Sequence, residues 1–185
     1  MKSIISLALI IISGSAFSQV IIGNNSGTAT DKTSVLLEFA NSGNKGIILP
    51  YVINKSLTPT EGTIILDAST PTTARIKYYN GVTSVTAPDG WQDLSGQNAD
   101  VTSALADQPT SAVESAESKV IIGAETSSAD GVLILESTTK AMVLPTVTDV
   151  NNIPSPSPGM MVYVNKTGAK RLAVFNGSKW SFWKP

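Results

Sequence analysis

The sequence predicts a mainly β protein made of two tandem diverged β-rich repeats, each ending in a three-stranded antiparallel meander with an Asn-Gly hairpin. Three observations predict it. Blocks of residues recur in the same order along the chain, the recurring blocks are short β-branched or aromatic runs, and an Asn-Gly pair stands at the same place in each copy.

The N-terminus comes first. Met1-Lys2 supplies a positive charge, Ile4 to Ile12 is an apolar run broken only by Ser6, and Ala16 and Ser18 fit a small-x-small cleavage rule. Residues 1–18 therefore read as a secretory signal peptide, with the cut before Gln19, because the run is too short to cross a bilayer. No later segment is long enough to span one. Without Lys2 the chain carries 12 basic against 14 acidic residues, a net charge of about −2. That balance offers no basic surface for a phosphate backbone and argues against nucleic acid as a partner.

The repeat follows. Val20-Ile21-Ile22-Gly23 returns as Val120-Ile121-Ile122-Gly123. Val35-Leu36-Leu37-Glu38 and Lys45-Gly46-Ile47-Ile48-Leu49-Pro50 correspond to Leu133-Ile134-Leu135-Glu136 and Lys140-Ala141-Met142-Val143-Leu144-Pro145. The short continuous apolar runs, Val35–Leu37 and Val132–Leu135, predict buried strands. The strands after Gly46 and Lys140 must stop by Pro50 and Pro145, because proline cannot donate to a ladder.

Further on, Glu61 to Leu66 matches Pro158 to Tyr163, and Arg75 to Gly81 matches Arg171 to Gly177. Trp91 and Trp180 close the copies. Strands are expected at 64–67, 75–79 and 82–86 in the first copy and at 160–164, 171–175 and 178–183 in the second. Asn80-Gly81 and Asn176-Gly177 suit type I′ turns. Alternation places Leu172 and Val174 on one face and Arg171, Ala173 and Phe175 on the other, with Ile76 and Tyr78 inward in the first copy. Residues 95–119 are rich in Ser, Ala, Asp and Gln and read as a polar linker with one weak helical turn. The expected layout is a β unit at 19–94, the linker, and a β unit at 120–185. Units this small have marginal cores, so packing of the two units together or self-association must supply stability.

The chain has neither cysteine nor histidine. A disulfide framework, a conventional zinc, haem or blue-copper site, and the Ser-His-Asp and Cys-His nucleophile systems all fall away. No cofactor is expected. Carboxylates could still act as acid and base, as in glycan hydrolysis, with Glu38, Asp67, Asp93, Glu136 and Asp149 as candidates. Glu38 and Glu136 stand at equivalent strand ends, where capping a turn is the simpler role. Asp89-Gly90 and Asp130-Gly131 lack the alternating acidic pattern of a calcium loop and read as turns. The aromatic residues are the better binding candidates: Tyr79 and Trp91 in the first copy, Trp180, Phe182 and Trp183 in the second. Such faces suit peptides, sugars and interface hot spots. Trp91 and Trp180 recur and read first as core. Trp183 has no counterpart, and core and interface remain equal readings for it.

The order Val-Ile-Ile-Gly, Leu-rich strand with Glu, Lys-Gly/Ala-apolar-apolar-Leu-Pro, apolar strand, Arg-Ile/Leu-x-x-Phe/Tyr-Asn-Gly and Trp resembles a repeat of secreted surface proteins of Bacteroidota. It is also similar to modules of phage tail-fibre-like proteins. Phe17-Ser18-Gln19 looks like signal-peptide ends of that phylum. The resemblance covers nearly the whole mature chain and implies β-rich, often oligomeric extracellular proteins of structural or adhesive role, and it carries over no catalytic residue. Ala141 departs from the usual glycine. The expected function is thus a non-enzymatic extracytoplasmic structural or adhesion module at the cell surface, self-associating, with a homotrimer as one form. The alternatives are a monomeric periplasmic or surface subunit that docks onto a larger envelope, secretion or motility complex, and a carboxylate-dependent glycan hydrolase; a glycan is a further candidate partner.

Overall fold

A computed structural model describes residues 19–24, 26–41, 43–108, 115 and 118–183; the expected signal peptide lies outside them. The regular structure of the chain is almost entirely strand. In order come β1 (Val20–Ile22), β2 (Val35–Phe39), β3 (Ile47–Ile48), β4 (Tyr51–Val52), β5 (Ile64–Asp67), β6 (Arg75–Tyr79) and β7 (Trp91–Asp93). A five-residue helix, α1 (Thr102–Ala106), precedes β8 (Val120–Ile122), β9 (Leu133–Leu135), β10 (Ala141–Val143), β11 (Thr146–Val147), β12 (Met160–Val164), β13 (Arg171–Phe175) and β14 (Trp180–Trp183).

Pairing follows the same order in both halves. β1 runs parallel to β2, with Val20 opposite Leu37, and β8 runs parallel to β9, with Val120 opposite Leu133. β4 and β11 lie parallel to β5 and β12, and the prolines at the turn before them act as acceptors. Leu66 N–H donates to Pro50 O at 3.0 Å and Tyr163 N–H to Pro145 O at 2.9 Å. β5, β6 and β7 then pair antiparallel in sequence, as do β12, β13 and β14. Parallel neighbours joined by irregular loops give the front of each half a solenoid-like character. Among the described residues no crossover helix joins them.

Two pairings tie the halves together. β10 adds to the free edge of β2, and β3 lies antiparallel on β12, with Ile47 opposite Met161 and Ile48 opposite Met160. One core is shared accordingly. Leu66 and Ile76 from β5 and β6 meet Met161 and Val174 from β12 and β13, with Ile64 and Leu172 packed against them. The stretch expected as polar linker supplies Ala99 and Val101 to this core, both nearly inaccessible, and Leu105 of α1 leans on it. Small domains need such sharing, since neither sheet alone could bury enough surface.

The outer faces of the two sheets differ in chemistry. Behind β12 and β13, Val162, Val164 and Ala173 are covered by Val150 and Ile153. The equivalent positions of Val164 and Ala173 in the first half are Asp67 and Lys77, joined by an ion pair at 2.9 Å. Lys55 adds to Asp67 at 3.4 Å and reaches Asp89 at 3.3 Å. A third cluster packs Leu36 and Leu37 of β2 against Ile122 of β8.

Gly46 fixes the crossing of β3 over β12. A Cβ there would sit 2.6 Å from Met160 Cγ, 2.7 Å from Val162 Cγ1 and 2.9 Å from the Met161 carbonyl oxygen. Two of these neighbours are buried core side chains with little room to turn, and the third is backbone. Gly46→Ala is therefore expected to lower stability by about 1–3 kcal/mol, the usual penalty of overpacking. Ala141→Gly, at the exposed equivalent site, should cost no more than about 1 kcal/mol. Urea denaturation of the two variants checks both.

Three expectations need correction. The strand expected at 82–86 is a loop, and the third strand of the first half is β7. Val82 and Val85 face solvent, so β propensity has no face to bury, whereas Trp91 is 3% exposed. The loop is pinched at a neck where Asn80 N–H donates to Gly90 O at 3.3 Å. Gly81 and Gly90 there have φ +69° and +76°, and a Cβ on Gly90 would lie 3.2 Å from Gly81 Cα. The turns are not type I′ either, since neither Asn80 nor Asn176 has a positive φ. Instead the Asn176 side-chain oxygen accepts from the N–H groups of Ser178 and Lys179, both at 3.0 Å, and Asn80 accepts from Val82 N–H. This Asx closure suits loops longer than two residues. Finally, Val132 and Leu133 are 53% and 44% exposed rather than buried. β9 belongs to a two-stranded sheet, while β2 is flanked on both sides.

Candidate self-association surface

The aromatic candidates occupy matching registers. Tyr79 opposes Trp91 across β6 and β7, and Phe175 opposes Trp180 across β13 and β14. Each pair makes a tilted ring contact, with centroids 5.4 Å and 5.2 Å apart. Trp91 is sunk in the protein, and its indole N–H donates to Ser56 O at 3.0 Å, which anchors the 53–57 loop. Trp180 is half-buried against the outer cluster of the second half. Of the five candidates, Trp91 is thus interior, and Tyr79 and Trp180 are half-buried.

Phe182 and Trp183 stay open to solvent, 42% and 49% exposed. They leave β14 on opposite faces, as strand alternation requires. The Arg171 guanidinium stacks on the Phe182 ring at 4.3 Å, a cation–π contact. The Trp183 indole N–H donates to Leu94 O at 2.7 Å, and Ser181 Oγ donates to Ser95 O. One face of β14 therefore rests on the turn after β7, with the Trp183 ring held in place but largely uncovered.

Sequence reasoning missed a second set of exposed apolar residues. Val20 and Ile22 on β1, Ile48 on β3, and Val120, Val132 and Leu133 around β8 and β9 are all more than a third exposed. Continuous apolar runs were legible as strands, but the runs alone do not tell which of them finds a partner within the chain. Single exposed aliphatics are ordinary, whereas aliphatics on open strand edges mark surfaces that associate.

The acidic candidates are structural in place. Glu38 has a fully buried side chain. It accepts from the N–H groups of Thr28 and Ala29, from Thr28 Oγ1 at 2.9 Å, and from Lys32 Nζ at 2.8 Å. Burial alone would raise its pKa. The Lys32 ammonium and the backbone N–H groups outweigh that and hold it at about 2. Asp67 is likewise pushed up by burial and pulled down to about 2 by Ser69 and Lys77. Asp93 pairs with Arg75, Glu136 accepts from Ser127 Oγ, and Asp149 caps a 3-10 turn through Asn151 N–H at 2.9 Å. These carboxylates hold turns and crossovers. Glu136 and Lys140 border an open cleft of about 470 Å³ beside Leu36 and Gly123. Among the described residues no group of three or more acidic side chains is placed to hold a metal, and no helix is long and apolar enough to cross a membrane.

Against this geometry, residues 121–184 match the family described as the phage tail like trimerisation region. The match covers about a third of the chain and coincides with β8 to β14. Comparison with curated proteins and with solved structures returns no match. The second half of this chain is thus similar to a trimerising, tail-type structural module, in keeping with its strand edges and exposed aliphatics.

Proposed function

We propose that this protein is a non-enzymatic structural module that is exported by its N-terminal segment and self-associates as a homotrimer through its second half. It would serve a fibre-like or adhesive role at the cell surface. The similarity of residues 121–184 to a trimerisation region carries this reading. The uncovered aliphatics on β1, β8 and β9 support it, because they are the surface a self-associating β module needs to bury. The signal-like segment at 1–18 supports export, and the engagement of the buried carboxylates in ion pairs and turn caps supports a structural role over hydrolysis.

Light scattering after size exclusion tests the assembly. A mass three times that of the chain is the expected result. A single-chain mass at micromolar concentration would overturn it. The docking subunit would then be the better reading, with Phe182 and Trp183 as its face.

A further inference from the structure

The two halves dock on one another by a rule that is only half used within one chain. β3 of the first half lies on the leading part of β12, next to β11, which holds the trailing part. The equivalent of β12 is β5. Its trailing residues, Leu66 and Asp67, are held by β4, but among the described residues no strand lies on its leading part. The equivalent of β3 is β10. It pairs with β2 by one edge and ends its sheet with the other. One chain therefore presents both an unfilled acceptor and an unused donor of the kind that it joins internally.

We propose that β10 of one chain adds antiparallel to the leading edge of β5 in a second copy, with Val143 opposite Thr63 and Met142 opposite Ile64. The register is copied from Ile48 opposite Met160 and Ile47 opposite Met161. The proposal rests on the self-association reading and names one surface for it, which joins the second half of one chain to the first half of the next and is separate from the exposed aliphatics on β1, β8 and β9. Gly46 has no room for a Cβ because Met160 Cγ, Val162 Cγ1 and the Met161 carbonyl oxygen close on it. Ala141, the equivalent of Gly46, would meet Thr63, which is shorter than Met160, but also Ile65 in place of Val162 and the Ile64 carbonyl oxygen, so β10 must ride slightly further from β5 than β3 does from β12. One internal contact has no counterpart: Tyr51 Oη donates to Pro158 O at 2.8 Å, and Thr146 stands in the place of Tyr51. The new contact is main-chain pairing and apolar packing, as in strand addition generally. Donor and acceptor are different surfaces, so the contact is heterologous and runs head to tail until a ring closes.

The natural absence of cysteine makes this directly testable. Paired residues of an antiparallel ladder lie at disulfide distance. The double variant T63C/V143C, oxidised under native conditions, should give a nonreducing ladder that ends at a covalent closed oligomer. T63C or V143C alone should give no ladder, because each cysteine would face a residue that is not cysteine. V85C/V143C, with one cysteine on the fully exposed loop, sets the level of chance encounter. Light scattering of the reduced proteins is read alongside. An oligomer whose T63C/V143C crosslinking does not exceed the control, or whose disulfide closes within one chain, overturns the strand addition and leaves self-association standing. A single-chain mass overturns both.

Discussion

Replacing Trp91 by alanine is expected to cost about 3–5 kcal/mol of unfolding free energy, the range for removing a large buried aromatic. Trp91 is 3% exposed, stacks on Tyr79 and donates its indole N–H to Ser56 O. The substitution removes the ring, leaves a cavity and takes away the donor that holds the 53–57 loop. That loop carries Lys55, which bridges Asp67 and Asp89. Cavity, carbonyl and ion pair are coupled through one short segment, so their losses should not add simply. Trp180→Ala serves as the comparison. Trp180 holds the equivalent register but is half-buried and has no indole hydrogen bond of this kind, so its loss should be smaller. The measurement is a urea midpoint at matched chain concentration, because binding of a second copy adds to apparent stability. If Trp91 acted mainly between chains, W91A would change the solution mass while leaving the midpoint of the dissociated chain unaltered.

Strands β5, β6, β12 and β13 were legible to the residue. Each is a run of four or five residues dominated by β-branched, aromatic or long apolar side chains, with Gly62, Asn80, Gly159 or Asn176 close to one end, and each recurs. The equivalence of the halves was legible too, because Leu-Pro, Asn-Gly and Trp keep their order. Strand β7 was misplaced onto 82–86, since Val and Thr carry the same propensity whether or not a face awaits them. The contribution of Ala99 and Val101 was hidden in a polar stretch, where two small residues make no periodic pattern. The joining of β3 to β12 and of β10 to β2 left no local mark, because backbone pairing between distant strands does not depend on side-chain type. Gly46 is the one residue that hinted at it: a glycine inside an apolar strand signals close approach of another backbone. Among the interface candidates, recurrence pointed to the interior for both Trp91 and Trp180; Trp91 is interior and Trp180 is half-buried. The exposed position of Trp183 follows from β14 being the last strand of its sheet, a fact of topology rather than of composition.

The Glu38 carboxylate gives the other large effect. The loop from 23 to 34 joins two parallel strands without a helix, so its N–H groups need acceptors from elsewhere. Glu38 supplies them: Thr28 and Ala29 donate their backbone N–H groups to it, and Lys32 closes the site. Glu38→Gln keeps the shape but turns one acceptor oxygen into a donor that faces other donors. A loss of about 2–4 kcal/mol is expected, in line with breaking a buried charge network from one side. The same group sets a pH dependence. The folded pKa of Glu38 is about 2, below its ordinary 4.5, and that of Asp67 is about 2, below 3.8. Both are depressed, so the native state binds fewer protons than the unfolded chain. Their contribution is complete above about 4.5 and is lost as the pH falls toward about 2. The wild type should therefore lose stability steadily through that window. E38Q should start lower at neutral pH and fall less steeply, since the Glu38 contribution is gone while Asp67 and the other carboxylates held low, Asp31, Asp89 and Asp100, still drive the loss. Urea midpoints from pH 7 down through the window provide the check. Parallel curves for the two proteins would mean that Glu38 titrates alike in both states, and the capping role drawn for it would fail.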